Sequence, residues 1–345
     1  MLDQQHLVFG AGLIGAYLGS ALQLAGIHVA LVCRPAVKSK LAQGITVGDY
    51  QGNQAGPIDL TFVERAEQIP QAVNVIWLTV KCTGLSTALV EMAPFVSANT
   101  LILCCQNGLG SDALVKQAFP NNQVLRVMVP FNVVELHDGY YHRGSQGQLT
   151  IELPGTQAEP IHSLASQINS LLLPVKTCAD MTELLWAKLQ LNLANSVNAL
   201  AHIPVKAMLE QRDYRRVIAM LMRELLYVVD NLAIELPRIT SLPASWLPTM
   251  LVLPDFIFKR IANKMLAIDP TVRTSMYWDL LQGKPSEIDF LNGAVVHHAQ
   301  KLKLVCPANQ LMVQLIKRCE TGSQSQQIAP LDAANLLCLV KQAIG

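Results

Sequence analysis

Short apolar runs alternate with amphipathic stretches through the first half of the chain, and a nearly unbroken helical pattern fills the second. His6–Gly10, His28–Arg34, Asn74–Lys81, Thr100–Gln106, Gln123–Phe131 and Gln148–Leu153 are mostly apolar. Such runs predict strands buried on both faces of a parallel sheet, with helices covering each face. Ala11–Ala25 predicts the first covering helix, with Gly26 as its C-terminal cap. From about Asp180 the pattern predicts long helices over Met181–His202 and Tyr214–Leu236, and another over Ser286–Leu302. Proline-rich breaks around Pro243–Pro254 and Asp269–Pro270 divide the remainder. The change near Ala179 predicts an α/β domain over residues 1–179 and an all-α domain over residues 180–345.

Composition narrows the function classes. The chain has 345 residues, of which 51% are hydrophobic and 15% charged, so a large core can form and disorder is excluded as its main state. A balance of 26 basic and 25 acidic residues, without a long Lys/Arg run, argues against a nucleic-acid partner. A membrane span needs about 20 consecutive apolar residues. The most apolar stretches are interrupted by Lys188, Gln190, Asn192 and Asn195, or by Arg223 and Glu224, which predicts a soluble chain. Met1–His6 carries no basic segment and no long apolar run, which predicts no signal peptide and a cytoplasmic setting. The eight cysteines form no Cys-x-x-Cys pair and no cluster with zinc spacing, so reduced thiols and no metal are expected. His297 and His298 are adjacent, point to different helix faces and are poor joint ligands. Apolar helices such as Val217–Val229 can supply a homodimer surface, core burial being the commoner use.

The candidate chemistry begins at Gly10-Ala11-Gly12-Leu13-Ile14-Gly15, a Gly-x-Gly-x-x-Gly sequence between a strand and a helix. In that context the first glycine permits a tight turn and the second lets backbone approach a pyrophosphate. The third allows close packing, and the phosphate meets free N–H groups at the helix start. The first domain is therefore expected to bind a dinucleotide. NAD-preferring sites usually place an acid at the end of the second strand. Here that strand ends Leu31-Val32-Cys33-Arg34, with no acid until Asp49. A guanidinium suits a 2′-phosphate, so NADPH is the expected cofactor, with Arg34 on that phosphate. Thr79-Val80-Lys81 and Gln106-Asn107-Gly108-Leu109-Gly110 end two further strands, where ligands gather in open α/β sheets. Lys81 offers a positive charge there, and Asn107 both a donor and an acceptor.

In the helical half, Lys188, Asn192 and Asn195 follow the spacing i, i+4, i+7 on an otherwise apolar helix. Such a polar row either faces solvent or needs partners or a ligand. Ser275-Met276-Tyr277-Trp278-Asp279 and Pro285-Ser286-Glu287-Ile288-Asp289 are the other candidate segments. A local reading of the second is available: Ser286 with Asp289 predicts a capping box, and Glu287 would complement the first-turn dipole.

In this order the motifs resemble the ketopantoate reductase family (2-dehydropantoate 2-reductase) over nearly the whole length. The matching elements are Gly10–Gly15, Arg34, Thr79–Lys81, Asn107–Gly110, Lys188 with Asn192, Ser275–Met276, and Glu287–Asp289 followed by Leu291-Asn292-Gly293. The resemblance implies an N-terminal Rossmann-type domain and an all-helical C-terminal domain with the active site in the cleft between them. It implies NADPH-dependent reduction of 2-dehydropantoate to (R)-pantoate in pantothenate biosynthesis. It implies Lys188 as general acid, Asn107, Asn192, Ser275 and Glu287 as groups that contact the substrate or order the site, and Lys81 near cofactor and substrate. The chain departs from the family pattern on the substrate side. Many members have Asn then Pro where this chain has Ser196 and Val197, and Asn195 is the nearest substitute. Some have an Asn where this chain has Val272, beside Arg273. Two alternatives stay open: a reductase of another small 2-oxo or 3-hydroxy acid, and an NADPH-binding sensor without turnover.

Overall fold

The apolar runs of the first half become the strands of one eight-stranded sheet. The computed structural model describes residues 4–41, 44–69, 72–156, 158–261, 270–321 and 329–345. The strands are β1 (Gln5–Phe9), β2 (His28–Val32), β3 (Ile45–Asp49), β4 (Gln54–Ile58), β5 (Thr61–Val63) and β6 (Val73–Leu78). They continue with β7 (Leu101–Cys104), β8 (Val124–Met128), β9 (Val133–His137), β10 (Tyr140–Arg143), β11 (Leu149–Glu152) and β12 (Val175–Cys178). The large sheet has the order β12-β11-β8-β7-β6-β1-β2-β5. Its course reverses at β1, which pairs in parallel with β2 on one side and β6 on the other. Alternation along the strands fills two cores. Val75 and Trp77 enter one, while Ile76 and Leu78 enter the other.

One expectation needs correction here. The sheet is not parallel throughout, because β11 runs antiparallel to β8. Between those strands the chain makes the hairpin β9–β10 rather than a crossover helix, so nothing forces a parallel return. That hairpin also builds a second sheet, β4-β3-β10-β9, which the hydrophobic pattern does not announce. It is pinned by the Arg143 guanidinium, which donates to Asp49 Oδ2 at 2.9 Å with both side chains buried.

The chain divides into two compact units, Met1–Met181 and Thr182–Gly345. In the first, α1 (Leu13–Leu24), α2 (Pro35–Leu41), α3 (Leu85–Met92), α4 (Ser111–Ala118) and α5 (Ala158–Ile168) connect the strands. The second is helical. It comprises α6 (Met181–Asn192, entering from the end of the first unit), α7 (Ala194–Ala201), α8 (Val205–Glu210), α9 (Arg212–Asn231), α10 (Leu247–Leu251) and α11 (Asp255–Ile261). It ends with α12 (Ser275–Leu281), α13 (Asn292–Lys301), α14 (Pro307–Thr321) and α15 (Ala333–Ile344). No described helix is long and apolar enough to cross a membrane.

The long helix expected over Met181–His202 is interrupted at Leu193. That residue keeps helical dihedrals (φ −59°, ψ −26°), so α7 continues the path of α6. Around α9 the unit is tied by buried polar groups. Arg215, 0% exposed, donates to the carbonyls of Leu209, Leu251 and Leu253. Glu224 accepts from the Ala308 and Asn309 backbone N–H groups at 2.8 and 2.9 Å, capping α14 from another helix. The helix expected from Ser286 starts only at Asn292, and its capping box does not form. Ser286 is captured by Glu320 instead, through its N–H at 2.8 Å and its hydroxyl at 2.7 Å, and Asp289 pairs with Lys317 at 2.6 Å. Asp269, in the second proline-rich break, lies outside the described residues.

In the β1–β6 layer, Trp77 Nε1 donates to His6 Nδ1 at 3.2 Å, and burial pushes the His6 imidazole down to about 4. The unfolded chain therefore binds a proton more readily than the folded one between pH 6.5 and 4. The stability contributed by neutral His6 is complete above pH 6.5 and is lost as pH falls toward 4, by roughly 3 kcal/mol. Urea unfolding across that range will show this loss, and His6→Gln, which keeps an acceptor without titrating, will flatten it. Replacing Asp49 by Ala strands the buried Arg143 charge, and urea unfolding should report about 3–5 kcal/mol of destabilisation.

Candidate functional site

In the first unit the candidate residues gather where β1, β6 and β7 end. Gly10 leaves β1 at φ +112°, a conformation that favours glycine. A Cβ on Gly10 would lie 2.7 Å from Val80 Cγ1 and 2.9 Å from Val80 N, so the loop must pass flush against the β6 edge. A Cβ on Gly15 would lie 1.9 Å from Gly10 O and 2.8 Å from Thr79 Oγ1. Gly15 thus packs against the loop's own first carbonyl. Two side chains lock this arrangement. Thr79 Oγ1 donates to Gly10 O at 2.7 Å, and Gln106 Nε2 donates to Leu78 O at 2.9 Å and Val80 O at 3.2 Å. Sequence reading gave neither residue a role; their position at strand ends was the available signal.

The result is a helix start held open. Gly12 is the N-cap of α1, with no side-chain cap hydrogen bond, no acid in the first turn and no atom within 4 Å of where a Cβ would stand. The first N–H groups of α1 therefore present a positive dipole end beside clear space, which suits a phosphate. This occurs at the sheet's switch point, outside the carboxyl ends of β1 and β6.

The other first-unit candidates surround that point. Arg34 is exposed just beyond β2, and its carbonyl starts α2 by accepting from Val37 and Lys38 N–H at 2.9 and 3.1 Å. The nearby acid Glu64 lies 3.6 Å from the Lys38 ammonium, and burial pushes the Cys33 thiol up, keeping it neutral. The end of β2 is accordingly basic. Lys81 is exposed after β6, and Asn107 is half-buried after β7. Cys82 Sγ lies 3.3 Å from Asn107 O, which brings these two loops together.

In the second unit Lys188 and Asn192 lie on α6 and Asn195 on α7, all half-buried along one helical path. Ser275 is the first residue of α12, and Thr274 before it is bonded to α7. Glu287 is buried and precedes the turn Ile288–Phe290, held to α14 through its neighbour Ser286. Ser196 is not available to a ligand: it is wholly buried and its hydroxyl donates to Leu193 O at 3.1 Å. Val197 is equally buried, and Val272 O accepts from Val205 N at 2.9 Å. Among the described residues no group of three His, Cys, Asp or Glu side chains could hold a metal ion.

Comparison with known proteins covers most of the chain. Residues 6–155 match the family model described as ketopantoate reductase PanE/ApbA, and residues 180–320 match that described as ketopantoate reductase PanE/ApbA C terminal. A 2-dehydropantoate 2-reductase of Aquifex aeolicus is 24% identical over 321 residues, 92% of this chain and 97% of that protein. The crystal structure of a PanE/ApbA family ketopantoate reductase from Ralstonia eutropha JMP134 has the same fold, with a TM-score of 0.76 and 24% identity over 92% of this chain and 98% of the other. So does a D-mandelate dehydrogenase solved with NADH and anilino(oxo)acetate, with a TM-score of 0.74 and 18% identity over 92% and 98%.

The two inner glycines predict opposite outcomes. Gly15→Ala must move Gly10 or Thr79 and should cost about 3 kcal/mol in urea unfolding. Gly12→Ala meets no protein atom and should stay within about 1 kcal/mol of the parent, while its new methyl intrudes on the open space beside the helix start.

Proposed function

The chain belongs to the ketopantoate reductase family of oxidoreductases, and from that premise we propose that it reduces a small 2-oxo acid to its 2-hydroxy acid with NADPH, ketopantoate to (R)-pantoate being the substrate pair. The observation that carries this reading is the half-buried row Lys188, Asn192 and Asn195 along the path of α6 and α7, most of whose other side chains are buried. The open helix start fits a dinucleotide: Gly10, Ala11, Gly12, Leu13, Ile14 and Gly15 would hold its pyrophosphate, and Arg34 its 2′-phosphate. When bound, the reduced nicotinamide supplies the hydride.

The protein's own groups manage the charge that results. Reduction of a ketone leaves negative charge on its oxygen. The Lys188 ammonium stabilises that charge and delivers the proton to the oxygen. Asn192, one turn further on, keeps ammonium and oxygen in line, and Asn195 lies along the same row. Ser275 donates to the substrate carboxylate, and Glu287 accepts from substrate hydroxyls. In the first unit, Asn107 and Lys81, at the ends of β7 and β6, are assigned to the dinucleotide.

A second reading has a specific basis. Ser196 and Val272 replace polar positions of the family's substrate side, and Ser196 is turned inward to Leu193 O. This favours a 2-oxo acid other than ketopantoate. Measuring NADPH oxidation with ketopantoate and a set of small 2-oxo acids separates the two, since the preferred acid will have the largest kcat/KM. Turnover on none of them would overturn both.

Two substitutions test the roles. Lys188→Ala should lower kcat by about 10²–10⁴-fold while leaving NADPH affinity, read by fluorescence titration, unchanged. Arg34→Ala should raise the KM for NADPH by about 10–100-fold and leave that for NADH near its parent value, because a lost charge-assisted contact is worth about 1.5–3 kcal/mol.

A further inference from the structure

Asn198 is 0% exposed on α7, where an amide is costly unless its polar atoms are satisfied. Its carbonyl oxygen accepts the Thr274 N–H at 3.0 Å and the Thr274 hydroxyl at 3.1 Å, and its amide donates to Ile203 O at 2.8 Å. Thr274 occupies the N-cap of α12 with extended backbone (φ −75°, ψ 160°), yet its hydroxyl makes no cap bond to that helix. A threonine at an N-cap ordinarily satisfies its own helix. Here it turns to α7 instead, to Asn198 Oδ1 and to within 3.5 Å of Asn195 O. A backbone bond from Val205 N to Val272 O, 2.9 Å, ties the same segment from its other side. The residue fixed by this clamp is Ser275, which follows Thr274 directly. The helical path it is fixed to carries Lys188, Asn192 and Asn195.

We infer that Asn198 is a positioning residue for the substrate side of the reaction: through Thr274 it sets Ser275 in register with the row Lys188–Asn192–Asn195. This rests on the reading of Ser275 as a group that contacts the 2-oxo acid. Asn198 touches no substrate in this account. It converts a segment that leads into a seven-residue helix into a fixed edge of the site, at the expense of α12's own cap.

Thr274→Val keeps shape and removes only the hydroxyl, so it tests the clamp without excavating the core. It should raise the KM for the preferred 2-oxo acid about tenfold, with kcat and the KM for NADPH within about twofold of the parent. Thr274→Ser should restore parent KM. Asn198→Leu should raise the same KM at least as far, and Ser275→Ala should add little to Thr274→Val, since both act through one contact. Amide hydrogen exchange should quicken over residues 275–278 in Thr274→Val and be normal in Thr274→Ser. If the parent turns over no 2-oxo acid, the functional reading fails and takes the inference with it. If the parent turns over a 2-oxo acid but Thr274→Val leaves its KM and the exchange at 275–278 unchanged, the inference alone is overturned. A rise in the NADPH KM equal to that for the acid would overturn it as well, by showing general loosening.

Discussion

The distance between the carbonyl of Gly10 and the backbone of Gly15 is the constraint on which the first unit depends. That carbonyl is taken up by Thr79 Oγ1, and a methyl on Gly15 would lie 1.9 Å from it. Because the start of α1 sits this near the end of β1, its N–H groups emerge at the sheet's carboxyl edge. Because Gly10 also lies flush on Val80, the β6 edge and the loop form one surface. Gln106 extends that surface to β7 by donating its amide to the carbonyls of Leu78 and Val80. The open start of α1 follows from strand ends that close on one another and are bridged by Thr79 and Gln106.

The helical unit solves a different problem. Its helices bury apolar faces against one another, and burial is non-directional, so their relative positions need directional contacts as well. It uses buried polar side chains that reach from one helix to the end of another: Arg215 to three carbonyls, Glu224 to the start of α14, Asn292 to Asn309 at 3.0 Å, and Asn198 to Thr274. Arg215, Glu224 and Asn198 thereby satisfy backbone groups at or near helix ends that would otherwise be orphaned, while Asn292 and Asn309 pair side chain to side chain. Breaking one leaves a buried polar atom without its partner, which costs more than the bond's net contribution.

Local signals in the sequence predicted the elements whose causes are local. The doubly covered strands announced themselves as apolar runs, and the glycine loop by its spacing between strand and helix. The second sheet did not, because β3 and β10 pair across a long separation and are pinned by Arg143 and Asp49, 94 residues apart. Ser286 read as a capping residue because Asp289 stands three places on. Glu320, 34 residues away, offers it a carboxylate and takes both its donors. On the substrate side the row Lys188–Asn192–Asn195 was visible as periodicity. Asn198, three residues further, lies off that row, is wholly buried and binds Thr274, 76 residues on, which no window on the helix could reveal.

That difference bears on how the family's fold serves more than one acid. The fold shared with a D-mandelate dehydrogenase shows that the architecture does not choose the substrate. In the first unit the loop is shaped by close backbone contacts that Thr79 and Gln106 lock in place. On the proposed reading most groups that meet the acid belong to the second unit, and there polar clamps hold neighbouring residues in place. Ser196 and Val197 are wholly buried and spent on packing α7. Ser275 is exposed, but its placement is inherited from Thr274 and Asn198. On the proposed reading, specificity in this chain depends on a contact residue and on the clamp behind it, because a change in either shifts Ser275 relative to the row that carries Lys188.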